Sequence, residues 1–320
     1  MNKMSNRAVS AKKLGKFEDR YLTADGSARA YVPLQGVRTL WFNTGTLCNI
    51  ECVNCYIKSS PKNDDLVYIS AAEFDGYMDQ LAASDWPVEE IGFTGGEPFM
   101  NPDIIKMAEK ALTQGYSVLI LTNAMRPMMR AKMRAGLLDL NRKFGAQLTL
   151  RVSLDHHRAL ENDKIRGPGS FDIALKGMGW LRDNGFSVHV ASRTVWGESE
   201  AVSRENFARL FARHGFQVDA SNPAHLVLFP EMDETADVPE ITTGCWEILN
   251  KHPSDVMCAT SRMVVKRKGA AAPTVLACTL LAYEPEFELG PDLADAEGDI
   301  FLNHRHCAKF CVLGGASCSA

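Results

Sequence analysis

The chain has 320 residues and a formal net charge of −4, with 46% hydrophobic and 23% charged residues. This composition excludes disorder over most of the chain, and the acidic balance disfavours a dedicated nucleic-acid-binding protein. No apolar run reaches the roughly 18 residues that a membrane helix needs, so we expect no membrane span. The basic N-terminus lacks the apolar segment of a secretory signal, and we expect it to be a solvated tail.

Short apolar strands alternate with helical segments between residues 37 and 230. The strands are predicted at 37–42, 90–94, 116–122, 147–153, 186–192 and 225–229. The helices are predicted from Ser70 (with Glu73 completing a capping box), from Asn101 to Gly115, over 127–140, from Ser170 to Gly185 and over 203–214. This alternation predicts an α/β fold built from βαβ units with a parallel sheet. It fits either an open, partial barrel or a doubly wound sheet.

The pattern changes near residue 236, where prolines become frequent and cysteines return. Residues 264–266 and 275–277 flank a Gly-Ala-Ala-Ala-Pro loop and are predicted to form a β-hairpin. We therefore divide the chain into an N-terminal extension (1–36), a core domain (37–235) and a small cysteine-rich module (236–320). The module contains Cys245, Cys258, Cys278, Cys307, Cys311 and Cys318.

The other three cysteines follow the first predicted strand, as Cys48, Cys52 and Cys55 in the spacing C-x3-C-x2-C. Without a secretory signal, clustered cysteines indicate metal ligands rather than disulfides. A structural zinc site would take a fourth ligand from elsewhere in the chain. A [4Fe–4S] cluster held by three cysteines leaves one iron open to a further ligand. The spacing favours iron–sulfur over zinc.

A second motif, Gly95-Gly96-Glu97-Pro98, follows the second predicted strand. Taken alone, it could be an ordinary strand-to-helix turn. Together with the cysteine loop, it makes residues 37 to 230 resemble the radical S-adenosylmethionine (SAM) superfamily, in which both motifs occupy these strand ends. The resemblance implies a partial (β/α)6 barrel. One departure is Asn54, which stands where many members have an aromatic residue before the third cysteine.

The resemblance also implies roles for the motif residues. Cys48, Cys52 and Cys55 would hold a [4Fe–4S] cluster, whose fourth iron would bind the amine and carboxylate of SAM. The Gly95–Pro98 turn, through Gly95, Gly96 and Glu97, would bind the methionyl amine, and Tyr56 would help to form the adenine pocket. Electron transfer would cleave SAM to methionine and a 5′-deoxyadenosyl radical, which would abstract hydrogen from a substrate.

Polar residues stand at three further strand ends, which meet at one mouth in barrel-like α/β folds. By similarity we expect Asn123, Ser153 and Arg193 to contact SAM, although capping or loop roles are equally open. Asp155 could face SAM or the substrate and is the one candidate catalytic residue. His156 and His157 follow it; each could be an acid or base, but the sequence favours surface loop histidines.

The cysteine-rich module resembles, more loosely, the twitch or SPASM modules that carry auxiliary [4Fe–4S] clusters in many radical SAM enzymes. The resemblance implies one auxiliary cluster held by Cys258, Cys278, Cys307 and Cys311, with Cys318 as a substitute ligand. The alternative is a zinc site that uses the same cysteines with His304 or His306. Cys245 could be a buried thiol, a substrate-side thiol or a cluster ligand.

The expected function is therefore a radical SAM oxidoreductase in which an auxiliary cluster assists an oxidation. Radical peptide modification, rearrangement and carbon–carbon bond formation remain alternatives, and a zinc-stapled binding module is the non-enzyme alternative. A small molecule or short peptide is the expected substrate, and a flavodoxin- or ferredoxin-like protein the expected one-electron donor. Oxygen-sensitive clusters predict a reducing cytoplasm. We expect no nucleic-acid partner.

Overall fold

The computed structural model describes residues 14–194, 196–231 and 235–315. The strands are β1 (Tyr31–Val32), β2 (Thr39–Asn43), β3 (Glu90–Thr94), β4 (Ser117–Thr122), β5 (Leu148–Ser153), β6 (Ser187–Arg193), β7 (Leu226–Phe229), β8 (Ser261–Val265), β9 (Thr274–Leu276), β10 (Glu288–Gly290) and β11 (Ile300–Phe301). The α-helices are α1 (Ala71–Ala82), α2 (Ile104–Thr113), α3 (Ala131–Phe144), α4 (Ala159–Arg166), α5 (Ser170–Asp183), α6 (Glu200–His214) and α7 (Cys245–Ile248). A π-helix runs over Cys307–Leu313.

Within these residues, nine strands form one sheet in the order β10-β9-β8-β2-β3-β4-β5-β6-β7. Strands β2 to β7 are parallel neighbours, as the alternating pattern predicts. Strand β8 joins them by pairing in parallel with β2, and β9 returns antiparallel to β8 as the predicted hairpin. The α/β fold with a parallel sheet and a C-terminal hairpin is therefore confirmed.

Alternate residues of the strands face two different layers. Leu40 and Phe42 of β2 belong to the hydrophobic core that the helices cover. Trp41, between them, belongs to a second core with Leu119 of β4 and Met263 of β8, on the opposite face of the sheet. This second face therefore encloses an interior that the sheet shares with the C-terminal module.

Residues 14–36 pack against the C-terminal module. Strand β1 pairs with β11, and Ala30 and Val32 are fully buried. The buried guanidinium of Arg29 forms an ion pair with Glu240 at 2.6 Å, which ties this segment to residue 240. The apolar side chains of this stretch complete the second core. The basic N-terminus that is predicted to be a solvated tail lies mostly in residues 1–13, outside the described ranges.

Several predicted helix boundaries are wrong. Helix α2 begins at Ile104 with Asp103 at its N-cap, although the side-chain oxygen of Asn101 accepts from the N–H of Asp103 at 2.9 Å. Ser170 is the first residue of α5 rather than its cap, and α3 is displaced by about one turn from the predicted range. Helix α6 begins three residues earlier than predicted and ends at His214 as predicted. Helix α4 was not predicted.

Candidate functional site

The cysteine loop begins just after β2 and lies at the carboxyl ends of the parallel strands. Cys48 is buried, Cys52 and Cys55 are half-buried, and all three are free thiols that line one cavity. Burial raises the pKa of Cys48 to about 12 and also raises that of Cys52, so a metal centre would displace their protons on binding. Asn54 has a φ of 54°, a left-handed conformation that Asn tolerates better than an aromatic residue does, which accounts for the departure noted above.

The Gly95-Gly96 turn packs directly against the segment that leads into the cysteine loop. The N–H of Gly96 donates to the carbonyl of Gly45 at 2.8 Å, and the N–H of Glu97 donates to that of Leu47 at 3.1 Å. A Cβ atom on Gly96 would lie 2.2 Å from the Leu47 oxygen, and Gly95 has a φ of +135°. Since these N–H groups are occupied, the turn can offer a ligand its carbonyl oxygens, which suit the N–H donors of an amine.

Glu97 lies beneath the cavity rather than in its wall. Its carboxylate accepts from the hydroxyl of Thr122 and the backbone N–H of Asn123, both at 2.8 Å, and from the N–H of Phe99 at 3.3 Å. Burial raises the pKa of Glu97 to about 7 despite these hydrogen bonds. Glu97 therefore joins the end of β3 to the end of β4. Pro98, also buried, opens the short turn that follows.

The predicted residues at the other strand ends come together at the same cavity. Asn123 and Ser153 line it, and the Asn123 amide donates to the side-chain oxygen of Asn49 at 2.9 Å, beside Cys48. Tyr56 also lines the cavity, with its hydroxyl 3.3 Å from that of Thr94.

Asp155 lines the same cavity and binds two guanidinium groups. Its carboxylate lies 2.9 Å from Nε of Arg166 and 3.3 Å from Nε of Arg193. Arg166 also approaches the sulfur of Cys52 at 3.9 Å, and Arg193 donates to the carbonyl of Val53 at 3.1 Å. Sequence reasoning missed Arg166, because it ends the unpredicted helix α4. The two cations and one carboxylate leave this wall net positive beside the cysteine loop.

His156 and His157 turn away from the cavity, toward Glu198. They form the one group of three potential metal ligands within 4.8 Å of one another that the described residues contain. However, Nδ1 of His156 accepts from the Arg158 N–H at 3.0 Å, which places the neutral ring's proton on Nε2, the atom 3.6 Å from Glu198. That tautomer disfavours a metal there. The prediction of a surface histidine is wrong for His156, which is buried.

The C-terminal cysteines gather in the second core. Cys258, Cys307 and Cys311 are buried and Cys278 is half-buried. Burial raises the pKa of Cys258 to about 11 and that of Cys307 well above its ordinary range. The negative charges of the Cys278 and Cys258 thiolates raise the pKa of Cys307 further. The thiol of Cys245 instead accepts from the N–H of Thr242 at 3.4 Å, whereas Cys318 lies outside the described residues.

Two side chains join the C-terminal cysteines to the main cavity. Leu280, two residues after Cys278, and Phe310, between Cys307 and Cys311, both line the cavity that holds the cysteine loop. One cavity thus lies between the two groups of cysteines. None of the helices in residues 14–194, 196–231 and 235–315 has the length and hydropathy needed to cross a membrane.

The cysteine loop, the glycine turn and the strand-end residues lie within one stretch that a family model matches. The model described as "Radical SAM superfamily" matches residues 42–211, more than half of the chain. The chain belongs to the radical SAM superfamily. The resemblance stated from the sequence is therefore confirmed, and the family implies a [4Fe–4S] cluster that works with SAM. The three cavity-lining thiols fit the ligand set of such a cluster.

Curated relatives show a similar core. This chain is 30% identical over 193 residues to the antilisterial bacteriocin subtilosin biosynthesis protein AlbA of Bacillus subtilis, covering 60% of this chain and 40% of AlbA. It is 30% identical over 168 residues to the mycofactocin maturase MftC of Mycobacterium tuberculosis, covering 52% of this chain and 40% of MftC. The matched region thus spans about two fifths of these relatives.

Solved structures confirm the fold. SuiB of Streptococcus suis bound to S-adenosylmethionine superimposes with a TM-score of 0.58 at 13% identity, covering 81% of this chain and 64% of SuiB. The structure of anSMEcpe with bound AdoMet gives a TM-score of 0.56 at 12% identity, covering 81% of this chain and 77% of that one. Both matches extend well beyond the 53% of the chain, residues 42–211, that the family model covers.

Proposed function

We propose that this radical SAM enzyme oxidises its substrate by hydrogen abstraction, with a second [4Fe–4S] cluster in the C-terminal module. The observation that carries this proposal is the single cavity lined by Cys48, Cys52 and Cys55 at one side and by Leu280 and Phe310 of the C-terminal module at the other. When bound and reduced, a cluster on the three loop cysteines supplies the electron that cleaves SAM to methionine and a 5′-deoxyadenosyl radical.

The chain's own residues bind and orient SAM. Carbonyl oxygens of the Gly95-Gly96 turn accept from the N–H groups of its amine, while Glu97 and Pro98 hold the turn from below. Asn123, Ser153 and Arg193 contact its polar groups, with Asp155 fixing the Arg193 guanidinium. Tyr56 provides an aromatic wall for the adenine. These assignments are supported by one observation: all of the residues that contact SAM in this proposal line the same cavity.

In the C-terminal module, Cys258, Cys278, Cys307 and Cys311 are the proposed ligands of the auxiliary cluster. Two observations support this assignment. Three of the four cysteines are buried in one core, and Cys258 and Cys278 both lie near enough to Cys307 to raise the pKa of its thiol. Zinc held by the same cysteines is the competing occupant of this site, and a count of iron and zinc distinguishes the two.

A second candidate function is radical modification of a peptide. Two similar proteins favour it, since AlbA serves subtilosin biosynthesis and SuiB has been solved bound to the precursor peptide SuiA. Either function needs an external one-electron donor of the flavodoxin or ferredoxin kind. Either also needs a reducing compartment, for which we propose the cytoplasm.

The test is to count iron, sulfide and zinc per chain after anaerobic reconstitution. The variants are a triple alanine replacement of Cys48, Cys52 and Cys55, and a double replacement of Cys258 and Cys278. Cys245→Ala is the matched control, because its thiol already has a partner in Thr242 and should hold no metal. SAM affinity is measured by equilibrium dialysis on each protein.

We expect about eight irons in the wild type and in Cys245→Ala, and about four in each cluster variant, since each cluster contains four. SAM binding should be lost in the triple variant alone. Four irons in the wild type that disappear in the triple variant would refute the auxiliary cluster. Zinc without iron would refute the enzyme assignment altogether.

A further inference from the structure

The cavity has two halves of different chemistry. The half beside the cysteine loop is polar and carries Asn123, Ser153, Asp155, Arg166 and Arg193. The other half is formed by cavity-lining side chains that pack in the second core, beside the C-terminal cysteines: Ile57, Leu121, Phe229, Leu280 and Phe310. The rings of Phe229 and Phe310 stack at 5.4 Å, which gives this half an aromatic wall.

One charged side chain lies at the floor of the apolar half. Arg151 of β5 lines the cavity and is 2% exposed. It stands two residues before Ser153 on the same face of the strand, about 7 Å deeper in the interior. Its neighbour in register on β4 is Leu121, and on β6 it is His189. The Arg151 guanidinium donates through Nη2 to the carbonyl of Ala224 at 3.5 Å.

We propose that the apolar half is the substrate site and that Arg151 binds a carboxylate of the substrate. The inference rests on the proposed function, because it assigns the polar half of the cavity to SAM. An apolar pocket with one charged group orients its ligand through that group. A guanidinium fork matches a single carboxylate with two parallel hydrogen bonds, and this contact is strong where water is excluded. The substrate is thus an aromatic or aliphatic group that carries a carboxylate.

The titratable groups that face Arg151 from neighbouring strands include a histidine and a carboxylate. Burial lowers the pKa of His189 to about 4, with Arg151 and His225 contributing, so this ring is neutral. Glu90 lies near enough for Arg151 to affect it, but burial raises the pKa of Glu90 overall. The Glu90 carboxylate accepts from the hydroxyl of Thr39, at the start of the neighbouring strand.

Glu90 offers the competing explanation, in which Arg151 serves only as its structural partner. The two explanations differ in the ligand that the intact cavity selects. The test measures binding of 3-phenylpropionate and of its amide, 3-phenylpropanamide, to the reconstituted chain with SAM, by ligand-observed NMR. A second arm compares the blocked dipeptides N-acetyl-Phe-Glu-amide and N-acetyl-Phe-Gln-amide, which distinguishes a free acid from a peptide side chain.

In at least one of the two ligand pairs, we expect the ligand that carries the carboxylate to bind at least tenfold more tightly than the one that carries the amide. That ratio should fall to about one in Arg151→Gln and persist in the control Glu90→Gln. Equal binding of acid and amide by the wild-type chain would overturn the inference without any variant, as would a preference that Arg151→Gln retains. Iron content and SAM affinity, measured on the same samples, report separately on the proposed function.

Discussion

Replacement of Gly96 by alanine is expected to disrupt the cysteine loop, although residue 96 bears no ligand atom of its own. The new Cβ would lie 2.2 Å from the oxygen and 2.6 Å from the carbon of the Leu47 carbonyl, next to Cys48. Real Cβ contacts do not fall below 3.0 Å, so the two backbones must separate by about 0.8 Å. Both atoms belong to backbone, which cannot rotate away as a flexible side chain can.

The magnitude follows from this separation. Forced overpacking costs about 1–3 kcal/mol. The separation also weakens the bonds from Gly96 N–H to Gly45 and from Glu97 N–H to Leu47, at about 1 kcal/mol each. The free energy of unfolding should therefore fall by about 3–5 kcal/mol. Because the cysteine loop moves with Leu47, the iron held at the first site should fall as well.

Urea unfolding of the iron-free chain and iron counting after reconstitution measure the two effects. Gly76→Ala is the matched control, since a Cβ there meets nothing within 4 Å and the residue lies within helix α1. It should raise stability by about 0.5–1 kcal/mol and leave the iron content unchanged. A Gly96→Ala protein with wild-type stability and iron content would refute the reasoning.

Two further predictions concern buried charges. Asp155→Asn should lower the free energy of unfolding by about 3 kcal/mol, because Arg166 and Arg193 lose the carboxylate they share. It should also weaken SAM binding about tenfold in equilibrium dialysis. Unchanged stability and unchanged SAM affinity would contradict this role of Asp155. Glu240→Gln should cost about 3 kcal/mol at pH 7, because it leaves Arg29 buried without its carboxylate. Burial opposes ionisation of Glu240, but the hydrogen bonds it accepts hold its pKa below the ordinary value. The difference in free energy of unfolding between the wild type and Glu240→Gln should thus be full above about pH 4.5 and should disappear as pH falls through the folded pKa of Glu240. If acid unfolding gives a difference that does not change with pH, the ion pair does not have this role.

The parts of the fold that were predicted correctly depend on local interactions. The capping box of Ser70 and Glu73 forms as expected because its partners are three residues apart. Strand β3 has the predicted bounds, Glu90–Thr94, because its apolar residues lie between clear breaks. Helix α2 begins two residues later than predicted. The side-chain oxygen of Asn101 accepts from the nearby N–H of Asp103, and its amide also donates to the carbonyl of Ile69, 32 residues away. A sequence pattern contains no information on that second contact.

The amino-acid sequence by itself determined the chemistry of the cysteine loop, the turn at Gly95-Gly96 and the alternation that makes a parallel sheet. The tertiary structure alone decided which side chains share the cavity. Arg166 reaches Asp155 and Cys52 through an unpredicted helix, and Arg151 becomes the cavity floor through the register of β4, β5 and β6. These contacts join distant parts of the chain, and they depend on strand order and long-range packing rather than on any local spacing of residues.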